Sequence, residues 1–195
     1  MIKNIIFDLG NVLISFKPME YLLKKLNYDK RTKKVFEAIF LSEEWPMLDK
    51  GIISEEEALN RICCRNDGIV ELIRLGMNNW YEMLLPIEET IEILTKLKIK
   101  GYKLYYLSNY HMMAFEHVTK KYEFFKLFDG GVVSYEEQLL KPEEEIYKKL
   151  VRRYNIKPEE SVFIDDTLEN IEGAKRLGFE VIHFKKTSDL DYLNK

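Results

Sequence analysis

The sequence predicts an α/β protein built on a doubly wound parallel sheet. Two observations predict this fold: short apolar segments typical of buried strands alternate with amphipathic helical segments, and one long helical stretch interrupts the alternation after the first strand. Strands that alternate with helices favour parallel pairing, with helices on both faces of the sheet. We therefore expect a Rossmann-like α/β core formed by residues 1–14 and 86–195, with a small all-helical cap inserted at residues 15–85.

The first strand is predicted at Ile5 to Phe7, directly before Asp8 and the turn-forming pair Gly10-Asn11. A carboxylate at the carboxyl end of a buried strand lies where open α/β sheets place their ligands. A Gly-Asn pair between apolar segments is also typical of a two-residue hairpin, and Asp8 is then only a polar residue beside a turn. Both interpretations are open from this segment alone.

The predicted cap carries helical patterns and little strand character. Pro18 is suited to the first turn of a helix, and Ser54 with Glu57 three residues later forms a capping box. After Pro86 the pattern changes to alternating helices and strands. The predicted helices are 87–98, 112–121, 143–154 and 168–177, and the predicted strands are 104–107, 131–134, 162–164 and 181–184.

The composition limits the classes of partner. The chain has 195 residues, 46% of them hydrophobic, and 30 basic against 33 acidic residues give a net charge of −3. This balance makes nucleic acid an unexpected partner. No segment has the pattern of a secretory signal or a membrane span, and the adjacent Cys63 and Cys64 suggest reduced thiols, so we expect a cytoplasmic protein.

Polar residues stand at three predicted strand ends: Asp8, the Ser108-Asn109 pair, and the Asp165-Asp166 pair. The carboxyl ends of parallel strands share one edge, so these groups are expected to converge, and Lys141 is placed to reach the same edge. Each feature also has an ordinary explanation. Asp166 or Thr167 is suited to capping the next helix, Ser108-Asn109 to a turn, and Lys141 to pairing with the glutamates that follow it.

These segments resemble the haloacid dehalogenase superfamily of phosphatases and related hydrolases over nearly the whole chain. FDLGNV is similar to its first motif, LSN to its second, Lys141 of LKP to its third, and IDDTLEN to its fourth. Together with the DKGIIS turn and DDTLENIEGA, the first motif most resembles the α-D-glucose-1-phosphate phosphatase group. The resemblance implies a magnesium-dependent phosphatase of a small phosphorylated metabolite.

Residue chemistry agrees with what the resemblance implies. Asp8, with an ordinary carboxyl pKa of about 3.9, would attack phosphorus as a carboxylate. Asp8, the Gly10 carbonyl and Asp166 would hold Mg²⁺, with Asp165 as a further ligand or a supporting carboxylate. Lys141 would neutralise the transferring phosphoryl group, and Asn170 would orient Lys141 by a hydrogen bond. The phosphate-binding groups would be the Ser108 hydroxyl and the backbone N–H groups around Leu9, Gly10 and Asn109.

One position departs from the family pattern. Many phosphatases of the superfamily carry a second aspartate two residues after the nucleophile as general acid and base, and this chain has Gly10 there. Asp49 and His111 are candidates to help, although His111 is equally compatible with an ordinary exposed histidine. The EWPMLDKG segment, expected to be a loop, offers Trp45, Asp49 and Lys50 as candidates for sugar contact.

Two other functions stay open from the sequence. A 2-haloacid dehalogenase needs no acid at Gly10, because chloride leaves without a proton, but it has no use for the metal that Asp165-Asp166 suggest. A catalytically silent binding protein is the third hypothesis, since Gly10 removes the expected acid. The sequence leaves the oligomeric state undetermined.

Overall fold

Strands and helices alternate along most of the chain, and the computed structural model describes residues 1–194. The strands are β1 (Asn4–Phe7), β2 (Ile14–Ser15), β3 (Leu85–Pro86), β4 (Lys103–Ser108), β5 (Gly130–Val133), β6 (Ser161–Asp165) and β7 (Glu180–His183). The helices are α1 (Pro18–Lys25), α2 (Thr32–Phe40), α3 (Glu44–Asp49), α4 (Glu55–Cys64), α5 (Val70–Met77), α6 (Glu88–Ile99), α7 (Met112–Lys121), α8 (Ser134–Glu137), α9 (Glu144–Tyr154) and α10 (Leu168–Arg176).

Within residues 1–194, five parallel strands form one sheet in the order β5-β4-β1-β6-β7. The register pairs Phe7 of β1 with Tyr106 of β4 and with Ile164 of β6. The carboxyl ends of these three strands therefore lie side by side at the centre of the sheet. The predicted doubly wound parallel sheet is confirmed, and its order changes direction at β1, where such sheets bind ligands.

The sheet is buried on both faces, which explains the continuous apolar strands. In β1, Ile5 and Phe7 pack into the core cluster that also holds Leu94 of α6, whereas Ile6 packs on the opposite face with Ile146 of α9. All three β1 side chains have no solvent exposure. Side chains alternate between the two faces along a strand, so one buried strand joins both layers of helices.

Helices α1 to α5 all lie between β2 and β3, in the segment predicted to be helical. The short strands β2 and β3 pair in antiparallel fashion, with Ile14 opposite Pro86. They were not predicted, because two residues are too few to show an alternating pattern. The expected loop over EWPMLDKG is also wrong, since residues Glu44–Asp49 form α3. Pro46 lies in the first turn, where the missing N–H breaks no helical hydrogen bond.

No helix among residues 1–194 combines the length and the apolar character that crossing a bilayer demands.

Cys63 is buried and Cys64 is exposed, and both are free thiols.

Candidate active site

Asp8 lies at the carboxyl end of the central strand and is 7% exposed. The Ser108 hydroxyl donates to Asp8 Oδ1 at 2.6 Å, and Lys141 Nζ lies 2.8 Å from the same oxygen. The hairpin interpretation of Gly10-Asn11 is wrong, since β1 pairs only with parallel strands in the described chain and the turn leads to β2. Asp8 is therefore a buried carboxylate with a hydroxyl and an ammonium group on one oxygen.

Lys141 is 5% exposed and lies between two carboxylates. Its ammonium group is 2.8 Å from Asp8 Oδ1 and donates to Asp165 Oδ2 at 2.6 Å. Asn109 fixes the Lys141 backbone, because Lys141 N–H donates to Asn109 Oδ1 at 2.8 Å and Asn109 Nδ2 donates to the Lys141 carbonyl at 3.1 Å. The interpretation of Lys141 as a surface lysine paired with the following glutamates is wrong.

Burial sets the electrostatics of this pair. Burial raises the pKa of Asp8 to about 7, helped by the charge on Asp165 and opposed by Lys141 and Ser108. Burial lowers the pKa of Lys141, but the charges of Asp165 and Asp8 outweigh that loss of solvation and raise it. The expectation of an ordinary carboxyl pKa for Asp8 is therefore wrong for the metal-free site. Without a metal, Lys141 stays charged at neutral pH while Asp8 is only partly ionised.

Asp165 has no solvent exposure and accepts hydrogen bonds on both oxygens. Its partners are Lys141 Nζ, the Thr167 N–H at 2.8 Å, and Asn170 Nδ2, which is 3.1 Å from each oxygen. The expectation that Asn170 hydrogen-bonds to Lys141 is wrong. Both side chains present donors, so both bind the acceptor-only carboxylate between them, and Asn170 acts on Lys141 through Asp165.

Asp166 is half-buried and is held by two residues to which the sequence analysis gave no role. Asn11 Nδ2 donates to Asp166 Oδ2 at 3.1 Å, and His183 Nε2 lies 3.0 Å from the Asp166 carbonyl oxygen. Asn11 has a φ of 53°, a left-handed conformation that asparagine tolerates. The predicted strand 181–184 hid His183 inside a strand, whereas the structure ends β7 at His183, so that its side chain stands at the same edge as Asp8 and Ser108.

The three aspartates form a group suited to a hard cation. One carboxylate oxygen each from Asp8, Asp165 and Asp166 lies within 4.8 Å of the others. Carboxylates with water and phosphate oxygens are the ligands that Mg²⁺ prefers. The donor set therefore fits Mg²⁺. Asp165 is fully buried and is bonded to the Lys141 ammonium group, whereas Asp166 is half-buried and accepts hydrogen bonds only from the uncharged groups of Asn11 and Thr167 among those described. Asp8 and Asp166 are therefore better placed as direct ligands.

A cavity of about 120 Å³ lies beside Gly10. Its wall is formed by residues that follow β4 and by residues of the helical segment. Besides Gly10, Ile14 and Leu84, the cavity is lined by four aromatic residues and three polar ones: Phe16, Trp45, Trp80, Tyr110, Asp49, Asn109 and His111. Three of the predicted substrate-contacting residues, Trp45, Asp49 and His111, are thus together.

Lys50 and His111 depart from their simplest interpretations. Lys50 does not line the cavity, and its ammonium group donates to Glu143 Oε1 at 3.2 Å. His111 is not an exposed histidine, because it is 3% exposed.

Leu9 has no solvent exposure, and its carbonyl accepts hydrogen bonds from Leu13 and Ile14 N–H. The phosphate-binding role of the Leu9, Gly10 and Asn109 N–H groups stays a prediction.

Comparison with known proteins decides the family. A family model described as haloacid dehalogenase-like hydrolase matches residues 2–178. The chain belongs to this family. The superfamily suggested by the four sequence motifs is thereby confirmed, and the chain is a hydrolase.

Relatives in the haloacid dehalogenase-like family include named phosphatases. A sesquiterpene phosphatase of Aspergillus oryzae is 26% identical over 93% of this chain and 89% of its own length. A D-ribitol-5-phosphate phosphatase of Bacteroides thetaiotaomicron is 26% identical over 97% of this chain and 95% of its own. A solved family enzyme from Bacteroides thetaiotaomicron, in complex with magnesium and inorganic phosphate, is 28% identical, covers 100% of both chains and has a TM-score of 0.76.

Proposed function

We propose that this hydrolase is a Mg²⁺-dependent phosphatase that hydrolyses a small phosphomonoester through an aspartyl phosphate on Asp8. The observation that carries the proposal is the pairing of Asp8 Oδ1 with Ser108 and Lys141, beside Asp165 and Asp166. The dehalogenase hypothesis has less support, because a group of three carboxylates serves a cation that halide displacement does not need.

The metal would be held by Asp8, the Gly10 carbonyl and Asp166, with Asp165 as the supporting carboxylate. When bound, Mg²⁺ supplies positive charge that offsets repulsion between the Asp8 carboxylate and the phosphate. Lys141 would keep Asp8 in its charged form and offset charge on the phosphoryl oxygens. Asn109 and Asp165 support this role, since they fix the Lys141 backbone and ammonium group.

The reaction would use residues that already meet at the strand ends. An Asp8 oxygen attacks phosphorus, the bond from phosphorus to the leaving oxygen breaks, and the aspartyl phosphate is then hydrolysed by water. Ser108 would donate to a phosphate oxygen as its bond to Asp8 Oδ1 is exchanged. Lys141 and the strand-end N–H groups would stabilise the charge of the transition state, an effect that typically contributes about 10²–10³ in rate per donor.

The helical segment 15–85 would serve as the cap that selects the substrate. Its residues Trp45, Asp49 and Trp80 line the cavity beside Gly10. Within residues 1–194, Trp80 Nε1 and the Tyr110 hydroxyl are buried without a hydrogen-bond partner. Unpaired buried donors beside aromatic rings suit a ligand that carries hydroxyl groups. We therefore favour a sugar or polyol phosphate, with α-D-glucose 1-phosphate as the specific candidate from the motif resemblance.

The test is release of inorganic phosphate from a panel of esters with Mg²⁺ or with EDTA. The panel contains glucose 1-phosphate, ribitol 5-phosphate, glycerol 3-phosphate and a terpenyl monophosphate such as farnesyl phosphate. We expect Mg²⁺-dependent turnover of a hydroxylated ester and none by Asp8→Asn. Retained turnover in that variant contradicts the nucleophile, and a preference for farnesyl phosphate contradicts the substrate class.

A further inference from the structure

Gly10 has no side chain that could give a proton to the leaving group of the substrate. An alkoxide is a poor leaving group, and protonation by a positioned side chain typically contributes about 10²–10⁴ in rate. We propose that His111 donates this proton from Nε2 and that Asp49 is the positioning residue that orients it. The inference rests on the proposed phosphatase function and adds the residue that completes it.

Both residues lie at the right place in the fold. His111 directly precedes α7, three residues after the end of β4, and Asp49 is the last residue of α3. They line the same cavity as Gly10 and Asn109. An ester bound at Asp8 would extend its leaving group into this cavity, because the phosphate site and the cavity meet at Gly10 and Asn109. The donor would thus act from the side opposite the attacking carboxylate.

The His111 ring lacks the hydrogen bonds that burial normally requires. It is 3% exposed, and within residues 1–194 neither Nδ1 nor Nε2 has a hydrogen-bond partner. Buried polar groups in native proteins are nearly always paired, since an unpaired one costs about 1–3 kcal/mol. A ligand atom in the cavity is the partner that would satisfy Nε2.

Carboxylate oxygens lie near both nitrogens of the His111 ring. Nε2 lies 3.2 Å from Asp49 Oδ1, and Nδ1 lies 4.0 Å from Glu55 Oε1. Asp49 Oδ1 is the nearer of these two carboxylate oxygens, so we assign Asp49 as the residue that orients the ring.

Aromatic rings hold the imidazole in place. The Trp45 and Trp80 ring centroids lie 4.4 Å and 5.2 Å from that of His111. Rings at this distance restrict the rotamer of the imidazole and exclude water from it. Tyr110, which also lines the cavity, is a poor donor of protons. Burial and the charges of Asp8 and Asp49 raise its pKa, so it keeps its proton and serves only to bind.

The proton balance closes over two steps. When Asp8 attacks phosphorus, the bond to the leaving oxygen breaks, its electron pair stays on that oxygen, and the oxygen takes the proton from His111 Nε2. Water then attacks phosphorus of the aspartyl phosphate and returns one proton to Nε2, while the Asp8 carboxylate is released. The sum is one ester and one water converted to one alcohol and one inorganic phosphate.

The experiment compares two small phosphates with different leaving groups in pre-steady-state assays with Mg²⁺. Acetyl phosphate releases acetate, which needs no proton, and glycerol 3-phosphate releases an alkoxide that does. For His111→Gln we expect the rate of glycerol release to fall by about 10²–10⁴. The burst of acetate should change less than tenfold, because the first step of that substrate needs no acid. Asp49→Asn should show the same discrimination with a smaller loss.

His117→Gln is the matched control, since His117 lies on α7 outside the cavity lining and should leave both rates unchanged. Equal losses on both substrates in Asp49→Asn, or no loss in His111→Gln, overturn the inference. The inference is also overturned if the wild type gives a burst of acetate from acetyl phosphate but releases glycerol from glycerol 3-phosphate no faster than Asp8→Asn does. If the wild type gives no Mg²⁺-dependent burst from acetyl phosphate, the proposed function fails instead.

Discussion

The Lys141 ammonium group lies 2.8 Å from Asp8 Oδ1, and the two residues are 5% and 7% exposed. Lys141 is at the same time 2.6 Å from Asp165, so one buried cation is shared by two buried carboxylates. Buried charges are tolerated when they are paired and hydrogen-bonded. We therefore expect Lys141 to contribute both to the proposed chemistry at Asp8 and to the stability of the strand ends.

Replacing Lys141 by methionine is expected to remove most phosphatase activity. The loss should be about 10²–10³ in kcat, the usual effect of deleting one charge-stabilising donor. The variant also leaves Asp8 and Asp165 without their shared countercharge, so the free energy of unfolding at pH 8 should fall by about 3–5 kcal/mol. Steady-state assays and urea denaturation measure the two effects.

The control for this variant is Lys148→Met. Lys148 lies on α9, and its side chain is 34% exposed and paired with Glu144 and Glu145. Surface pairs of this kind contribute about 0–1 kcal/mol, so both measurements should stay close to wild type. A Lys141→Met protein that keeps more than a tenth of the wild-type kcat would contradict the assigned role.

Asp8→Asn is expected to stabilise the metal-free protein increasingly as pH rises. Burial raises the pKa of Asp8 from 3.8 to about 7, so between these values the native state binds a proton that the unfolded state has lost. The free energy of unfolding of the wild type therefore falls between pH 4 and pH 7, by up to about 4 kcal/mol from the Asp8 carboxyl group. The Asp8→Asn variant lacks this contribution, because asparagine does not titrate. Urea denaturation in EDTA at pH 4, 5.5 and 7 measures the difference. A difference between variant and wild type that is constant over this range would contradict the raised pKa.

Much of the fold was predictable because its strands are short, apolar and regularly separated by helices. The central strand, for example, has the pattern of a strand buried on both faces, and Asp8 follows it without a break. The convergence of Asp8, Ser108 and Asp166 followed from parallel pairing, whereas Lys141 was expected to reach the same edge from the segment between β5 and α9. Hydrogen bonding in a parallel sheet aligns the carboxyl ends of neighbouring strands at one edge. The residues that directly follow such strands can therefore be predicted to lie close together.

The contacts that were missed depend on which way individual side chains point once the segments are packed. Asn170 binds Asp165 instead of Lys141, and Asn11 reaches Asp166. Neither contact leaves a periodic signal. The pKa of Asp8 was also misjudged, because desolvation depends on what covers the strand end and that is set by packing. The burial of His111 beside Trp45 and Trp80 was missed for the same reason, because the helical segment that carries these rings packs over it.

Mg²⁺ is expected to stabilise the wild-type protein, and Asp166→Asn should reduce that effect. At a metal concentration about 100 times Kd, binding to the native state alone adds about 2.7 kcal/mol, seen as a rise in Tm. Binding should weaken below pH 7 by up to about tenfold per pH unit, because Asp8 must lose its proton to bind the metal. Thermal denaturation with a Mg²⁺ titration at pH 6 and 8 measures both.

The matched control for the metal site is Asp67→Asn, an exposed carboxylate in the helical segment that should leave the Mg²⁺ titration unchanged. An Asp166→Asn protein that responds to Mg²⁺ like the wild type would contradict the assignment of Asp166 as a ligand.

Alanine at Gly131 should destabilise the protein much more than alanine at Gly10. A Cβ at Gly10 would lie 3.9 Å from Asp8 Oδ2, an ordinary contact, whereas a Cβ at Gly131 would lie 2.2 Å from the Tyr106 ring. Gly131→Ala should therefore destabilise the protein by about 1–3 kcal/mol or more through overpacking, and Gly10→Ala by less than about 1 kcal/mol. Urea denaturation of both variants measures this. A large loss in Gly10→Ala would show that sterics demand glycine there, whereas a stable variant shows that the missing carboxylate at position 10 is not imposed by the fold.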